Sequence, residues 1–436
     1  MNRKISLKNV VFDTNFFYLY LVPSSIIPSA IPWVSLKLLV SFMIVVGYFF
    51  VVRKFQLSIA RSTMLMFPLV IILLTSFSLF YSMSIVIFDD AFEMLRPVCA
   101  LVFIVFVYQI RWNVHQIENR VYRGCFYIIM FFFALFLLEM IKFPVLGNIH
   151  ELYRRDMDVL GGKFVGPFFT TYIAGSIILS ICSLYCARFI IERKFRFLLL
   201  VLMSSFLIFA TQSRSAFISY AILICYFYVV AFLVNKGKPA IRLVLVALFL
   251  AFLVCLYMLL DWAKEALPYL YSGIKNYAFN FTDHIGTNNS LGKRISQVMW
   301  SASENDLYIV GVGILKAKIR LLESWIALYY VRYGLLGMVS YLIFWGSLGI
   351  YSVIGARRFF KADELVKSSY LVGFSGIVVS LPPLLLSSVP TDFMPTLFTY
   401  YAFATLSIVL CMESSKYRRD KRKVSTFHIR DAETLN

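Results

Sequence analysis

Residues 151–175 read ELYRRDMDVLGGKFVGPFFTTYIAG, a polar stretch between two apolar runs that are each long enough to form a helix. The stretch carries the adjacent arginines Arg154 and Arg155, a glycine pair and a Gly-Pro step. An arginine that meets lipid is costly, whereas an arginine that meets a phosphate forms strong paired hydrogen bonds. The side of the membrane on which this stretch lies therefore decides what the two arginines can bind.

The composition around this stretch is that of a membrane protein. Of the 436 residues, 60% are hydrophobic and 15% are charged, whereas about 25% of the residues of a soluble domain are charged. The formal net charge of +19 is divided among short clusters between apolar runs, which indicates membrane topology rather than nucleic-acid binding. The sequence predicts an all-α polytopic membrane protein whose core consists of stacked apolar helices.

A helix that spans a bilayer needs about 20 apolar residues. This rule predicts about twelve transmembrane helices, at 14–31, 33–52, 64–88, 92–110, 122–141, 166–187, 195–211, 213–234, 241–260, 330–355, 368–388 and 392–412. About nine lie in 1–260, which also holds an outer-face loop at 142–165. A long outer loop at 261–329 separates them from three more helices in 330–412, and residues 413–436 form a basic tail.

Lysine and arginine clusters fall on alternate loops and on both ends of the chain. Because basic residues stay on the cytoplasmic side, the pattern places both termini in the cytoplasm. The stretch 151–175, the Ser213-Arg214-Ser215 junction and the loop at 261–329 then face outward. A loop as long as 261–329 usually has a function.

The polar groups of the predicted outer face are rich in arginine. Guanidinium groups match phosphate oxygens in pairs and stay charged, and the chain has no Walker loop, HExxH motif or Rossmann fingerprint. We therefore expect an anionic lipid head group as the ligand, and neither a metal nor a cofactor. The candidate residues are Arg154, Arg155, Arg214, Arg294, Arg320 and Glu323.

Three sequence blocks contain most of these candidates and resemble the O-antigen polymerase and ligase superfamily. The first, from Arg154 to Pro167, is similar to the family pattern R-x(n)-G-x-F-x-x-P, although two phenylalanines replace the asparagine that follows the proline in the family. The second is TQSRSA at 211–216. The third consists of GKRISQVMW, IVGVG and ESWIALYYVRYGLLG, which together cover 292–337.

The resemblance implies a GT-C-like membrane glycosyltransferase in the bacterial inner membrane, with its active site facing the periplasm. Its donor would be an undecaprenyl-diphosphate-linked oligosaccharide, and its acceptor would be a second lipid-linked repeat unit. Its partners would be the membrane lipids and a chain-length regulator. The ligase branch has a histidine soon after the G-x-G, where this chain has Glu323. This difference favours a surface polysaccharide (O-antigen) polymerase.

In this scheme Arg214 and Glu323 are the catalytic residues. Arg214 stabilises the leaving diphosphate and Glu323 accepts the proton of the attacking hydroxyl. Arg154, Arg155, Arg294 and Arg320 join Arg214 in binding the diphosphate or the glycan.

Other interpretations remain open. A ligase would transfer the glycan to lipid A core or to a protein, and a flippase would be expected to carry charges at mid-membrane and an inverted repeat. Each candidate also has a structural alternative: Arg214 would extend its side chain to the interface, and Glu323 would form an ion pair with Arg320. Gly334 and Gly337 would serve close helix packing.

Overall fold

A computed structural model of the protein shows a helical architecture. It describes residues 15, 17–18, 21–22, 43–48, 50, 66–81, 97–98, 100–102, 104–107, 109, 117–141, 143, 164–166, 170–234, 264, 271, 290–313, 322–387, 389–391 and 394–433. Within these ranges all regular secondary structure is helical. The principal helices are α1 (Met66–Tyr81), α2 (Ile117–Met140), α3 (Thr171–Glu192), α4 (Phe195–Thr211), α5 (Arg214–Val234), α6 (Ser290–Glu304), α7 (Trp325–Lys361), α8 (Leu365–Val379), α9 (Leu381–Ser387) and α10 (Met394–Glu433).

Several of these helices are long and apolar enough to cross a membrane. Five in the described part of the chain meet this condition, namely α2, α3, α5, α7 and the segment Thr396–Ser415 of α10. The pair α8 and α9, bent by 40° at Ser380, makes a sixth if it counts as one span. The prediction of an all-α polytopic membrane protein is confirmed, whereas the total of about twelve spans remains a prediction because 241–260 and most of 14–52 and 92–110 lie outside the described residues.

Tight turns connect successive helices and define two ends of the bundle. The turns at 193–194 and 362–364 lie at one end, which we call the basic end because Arg188, Lys194, Arg358 and Lys367 cluster there. The turn at 212–213, which joins α4 to α5, lies at the opposite end. This alternation follows from the antiparallel helical hairpins.

The basic end is held together by ion pairs and cation–π contacts. The Arg188 guanidinium lies 4.2 Å from the centre of the Tyr122 ring and donates a 2.5 Å hydrogen bond to Glu192. Lys367 forms a 2.6 Å ion pair with Glu413 of α10. These contacts join α2 to α3 and α8 to α10 at the basic end.

Helix α3 is central among the described helices and packs against α2, α4, α5, α8 and α10. It approaches α8 closely, because a Cβ atom added to Gly373 would lie 2.8 Å from the Leu184 Cα atom. At the same crossing Ser183 donates a 2.6 Å hydrogen bond to the Gly373 carbonyl. Small residues and interhelical hydrogen bonds drive helix association in lipid, where the hydrophobic effect between helices is absent.

Tyrosine and serine side chains link α2 to the α3–α8 pair. The Tyr185 hydroxyl donates a 2.6 Å hydrogen bond to the Tyr122 carbonyl, and the Tyr122 and Ser369 hydroxyl oxygens are 3.2 Å apart. On the other side of α8, Tyr226 of α5 forms a hydrogen bond with Ser375. The three contacts fix the relative positions of α2, α3, α5 and α8.

Candidate functional site

The Ser-Arg-Ser junction forms a compact turn at the end opposite the basic end. Helix α4 ends at Thr211, Gln212 adopts a left-handed conformation with φ of 49°, and α5 begins at Arg214. The Thr211 hydroxyl accepts from the Ser213 amide at 3.3 Å, and the Ser213 hydroxyl accepts from the Ala216 amide at 3.4 Å. Flanking hydroxyl groups thus satisfy backbone amides at the start of α5, and the position of the Arg214 backbone is set by this turn.

The first and second sequence blocks meet at this turn. The Phe164 amide donates a 3.0 Å hydrogen bond to the Ala210 carbonyl at the end of α4. Gly175 of α3 lies against the start of α5, because a Cβ atom added to it would be 2.7 Å from the Ala216 Cβ atom. Gly175, from the stretch 151–175, therefore allows the Arg214 turn to pack closely against α3.

Arg214 lines a cavity between α5 and α9 that is otherwise mostly apolar. Its volume is about 280 Å³. The lining residues are Arg214, Ser215, Ile218, Ile222, Pro382, Pro383, Leu386 and Ser387. The side chain of Arg214 is half-buried. The site therefore combines a guanidinium group with a hydrocarbon-lined space.

The third block contains a break in helix α7. Gly334 has φ of 60° and ψ of −163°, a combination that is almost exclusive to glycine. The break divides α7 into a short first part before Gly334 and a long second part after it. A straight helix would separate Trp325 from Tyr341 by about 24 Å at its rise of 1.5 Å per residue, yet their rings are 5.2 Å apart. The first part of α7 is therefore folded back onto the second.

Residues 305–313, which we call the glycine turn, fill this break. The Leu335 and Leu336 amides donate to the Tyr308 and Ile309 carbonyls at 2.9 and 3.0 Å. In the other direction, the Val331 carbonyl of α7 accepts from an amide of the glycine turn at 2.7 Å. The turn thus supplies hydrogen-bond partners that the interrupted helix lacks.

Glycine is required on both sides of this contact. A Cβ atom added to Gly334 would lie 2.4 Å from the Ile309 carbonyl, and one added to Gly311, whose φ is 74°, would lie 2.6 Å from the Val331 carbonyl oxygen. Gly334 was expected to allow two helices to pack closely, but the segment that it contacts is a turn. Gly334 packs against the glycine turn, so the G-x-G and G-x-x-G elements of the third block form one joint.

The sequence candidates Arg294 and Glu323 meet beside this joint. A guanidinium nitrogen of Arg294, on α6, is 3.4 Å from a carboxylate oxygen of Glu323. The Glu323 amide also donates a 3.1 Å hydrogen bond to the Gln297 side chain of α6. The Arg294 side chain is 17% exposed and that of Glu323 is 44% exposed. Helix α7 begins at Trp325, so Glu323 precedes the helix that it was expected to open.

Arg332 is a charged residue that the sequence analysis overlooked. It is 7% exposed and lies in the last turn of the first part of α7. The helical repeat places it on the same face as Trp325 and Tyr329, whose rings contact Tyr341 in the second part of the helix. The sequence could have indicated Arg332, because it is a single arginine within an apolar helix and a charge in such a segment is a functional candidate by default.

The two parts of the candidate site are connected through the bundle. Helix α9, which lines the cavity beside Arg214, also packs against α7. Tyr341 forms a 2.7 Å hydrogen bond with Thr391, just before α10.

The remaining sequence candidates, Arg154, Arg155 and Arg320, lie outside the described residues. Among the residues that the structure describes, no group of three His, Cys, Asp or Glu side chains is placed to hold a metal ion.

Comparison with known proteins adds no family to this geometry. No protein-family model matches the chain, and no curated protein matches it.

We predict that Gly334→Ala disrupts the joint between α7 and the glycine turn. The added methyl group would overlap the Ile309 carbonyl, and the backbone conformation at this position would cost about 1–3 kcal/mol in a non-glycine residue. The apparent unfolding temperature and the monodisperse yield in detergent measure the effect. Gly346→Ala on the same helix is the matched control, because nothing lies within 4 Å of its added Cβ atom. Equal stability of the two variants would contradict the prediction.

Proposed function

We propose that this protein is a surface polysaccharide polymerase, a GT-C-like membrane glycosyltransferase. It transfers a glycan from undecaprenyl diphosphate onto a lipid-linked repeat unit at the periplasmic face of the bacterial inner membrane. The observation that carries the proposal is the position of Arg214 on an otherwise mostly apolar cavity at the end opposite the basic end.

An amphiphile with an anionic head and a hydrocarbon chain matches such a cavity. The Arg214 guanidinium offers paired donors to phosphate oxygens, while Ile218, Ile222 and Leu386 offer an apolar surface. A water-soluble sugar nucleotide has no hydrocarbon chain that could contact that apolar surface. The resemblance of the second sequence block to the O-antigen polymerase and ligase superfamily points to the same class of donor.

The reaction is a displacement at the anomeric carbon of the donor sugar. A hydroxyl of the acceptor glycan forms the new glycosidic bond, the bond to the diphosphate oxygen breaks, and lipid diphosphate leaves with the electron pair. Because negative charge grows on the leaving diphosphate, a fixed guanidinium stabilises the transition state more than the ground state. Arg214 has this role, and Arg154 and Arg155 are proposed to assist it.

The proton of the attacking hydroxyl needs an acceptor, and Glu323 is the proposed one. Its ion pair with Arg294 and the hydrogen bond from its amide to Gln297 hold it against α6. Its half-exposed side chain is accessible to an incoming glycan. Arg294, and Arg320 from the neighbouring segment, are proposed to bind the glycan or the diphosphate.

The proposed topology follows from the charges at the two ends of the bundle. The basic end is assigned to the cytoplasm with both termini. The Arg214 turn, the glycine turn and the Arg294–Glu323 pair then face the periplasm, where lipid-linked repeat units and a chain-length regulator would be met.

Deletion of the gene in its native host tests this function. A polymerase mutant should still attach a single repeat unit to its surface carrier while the ladder of longer glycans disappears from a gel. Complementation with the intact gene should restore the ladder. Loss of all attached glycan would instead indicate a ligase or a flippase and would overturn the proposal.

We predict that Arg214→Lys loses at least about tenfold in polymerisation, as Arg214→Ala does. A lysine keeps the charge but replaces the planar pair of donors with a point charge, and a hydrogen bond to a charged group contributes about 1.5–3 kcal/mol. The measurement is ladder formation by the purified variant from the host's undecaprenyl-diphosphate-linked repeat unit. Arg123→Lys, at an exposed arginine near the start of α2, is the control. Near-normal activity of Arg214→Lys would show that charge alone suffices.

We predict that Glu323→Gln lowers polymerisation by about a hundredfold or more. The amide keeps the shape and a hydrogen bond to Arg294 but cannot accept the proton. Binding of the lipid-linked donor should persist. Glu304→Gln, at an exposed carboxylate at the end of α6, should be active. If Glu323 only pairs with Arg294, a part-exposed ion pair worth under about 1 kcal/mol, Glu323→Gln would polymerise almost normally.

A further inference from the structure

The glycine turn presents apolar side chains away from the bundle. Tyr308 is 59% exposed and Ile309 is 66% exposed. Their carbonyls bind the amides of Leu335 and Leu336, and these two leucines are 50% and 44% exposed. The four side chains therefore belong to one apolar patch, which sits where the long predicted outer loop returns to the bundle.

This patch continues along a surface that already has the character of a lipid-facing helix. Beyond Leu336, the exposed residues of α7 include Val339, Leu342 and Ile343, and α7 is long and apolar enough to cross a membrane. A water-facing extension of this surface would expose large apolar groups without compensation. Continuity with the span thus favours lipid as the neighbour of the turn.

The backbone of the glycine turn is suited to such a position. Non-helical backbone near the hydrocarbon region is tolerated when its polar groups are satisfied within the protein. The Tyr308 and Ile309 carbonyls are occupied by α7, the Val310 and Gly311 amides donate to the Leu307 carbonyl, and the Leu307 amide donates to the Asn305 side chain. These backbone groups are paired within the protein, while the side chains of Asp306, Tyr308 and Ile309 are exposed.

The length of α7 sets the depth of the turn. From Leu335 to Arg357, which lies at the basic end, a helix rises about 33 Å. The hydrocarbon core of a bilayer is about 30 Å thick. If the arginine marks one head-group layer, Leu335, and with it Tyr308 and Ile309, reaches the opposite boundary of the hydrocarbon. A tyrosine is favoured at that boundary, where its ring is apolar and its hydroxyl meets water.

We infer that the glycine turn inserts Tyr308 and Ile309 into the lipid acyl chains at the bilayer boundary opposite the basic end. The predicted loop at 261–329 is then anchored in the membrane near its end, and the Arg294–Glu323 pair is held close to the head-group layer. This inference does not depend on the proposed activity, because it rests on exposure, backbone pairing and helix length alone.

Hydrophobic photolabelling of the intact protein tests the inference. The full chain is reconstituted in phosphatidylethanolamine and phosphatidylglycerol vesicles that contain a phospholipid with a diazirine in its acyl chain, and adducts are mapped by mass spectrometry. We expect adducts on Tyr308 or Ile309 at a level comparable to Leu342 and Ile343. The exposed residues 302–304 at the end of α6 should carry at least about tenfold fewer.

A water-soluble carbene reagent provides the reverse measurement and should label 302–304 but not Ile309. Lipid adducts on Leu342 and Ile343 with none on the turn would overturn the inference, as would aqueous labelling of Ile309 equal to that of 302–304. Protection of the turn from both reagents would indicate that a second copy or another protein covers it, and would equally exclude lipid as its partner. No variant is needed, so folding defects cannot obscure the result.

Discussion

A peptide group in hydrocarbon must find its hydrogen-bond partner within the protein, and this constraint governs the architecture. Helices satisfy it along most of the residues that the structure describes. Where α7 is interrupted at Gly334, the glycine turn satisfies it instead, by exchanging backbone hydrogen bonds across the break. Serine and threonine hydroxyls follow the same rule, since Thr75 and Ser180 donate to the carbonyls one helical turn earlier.

The close approach of helices at their crossings depends on small residues. Ser183 and Gly373 allow α3 and α8 to touch, and Gly175 seats the Arg214 turn on α3. Because lipid is as apolar as leucine, the gain in such contacts comes from dispersion and hydrogen bonding. The polar turn that would bind a ligand is thus attached to the most buried helix of the described bundle.

The proposed chemistry makes use of this rigid attachment. A guanidinium that stabilises a leaving diphosphate is effective only if it is already in place when the charge develops. Arg214 begins a helix whose first turn is capped by neighbouring hydroxyls and packed on α3. Arg332 and the Arg294–Glu323 pair are organised separately, around the joint between α7 and the glycine turn. The site is therefore assembled from two supports at one end of the bundle.

The sequence by itself determined that the protein is a helical membrane protein. It also determined that the basic clusters lie at one end of the bundle and Arg214 at the other, because hydropathy and charge act residue by residue. It also singled out Arg214, Arg294 and Glu323 as candidates. Only the tertiary structure decided that Arg294 pairs with Glu323, that α7 folds back at Gly334 and that Arg332 is buried. These features arise from contacts between segments far apart in the chain, and no local periodicity encodes which distant carbonyl an interrupted helix will meet.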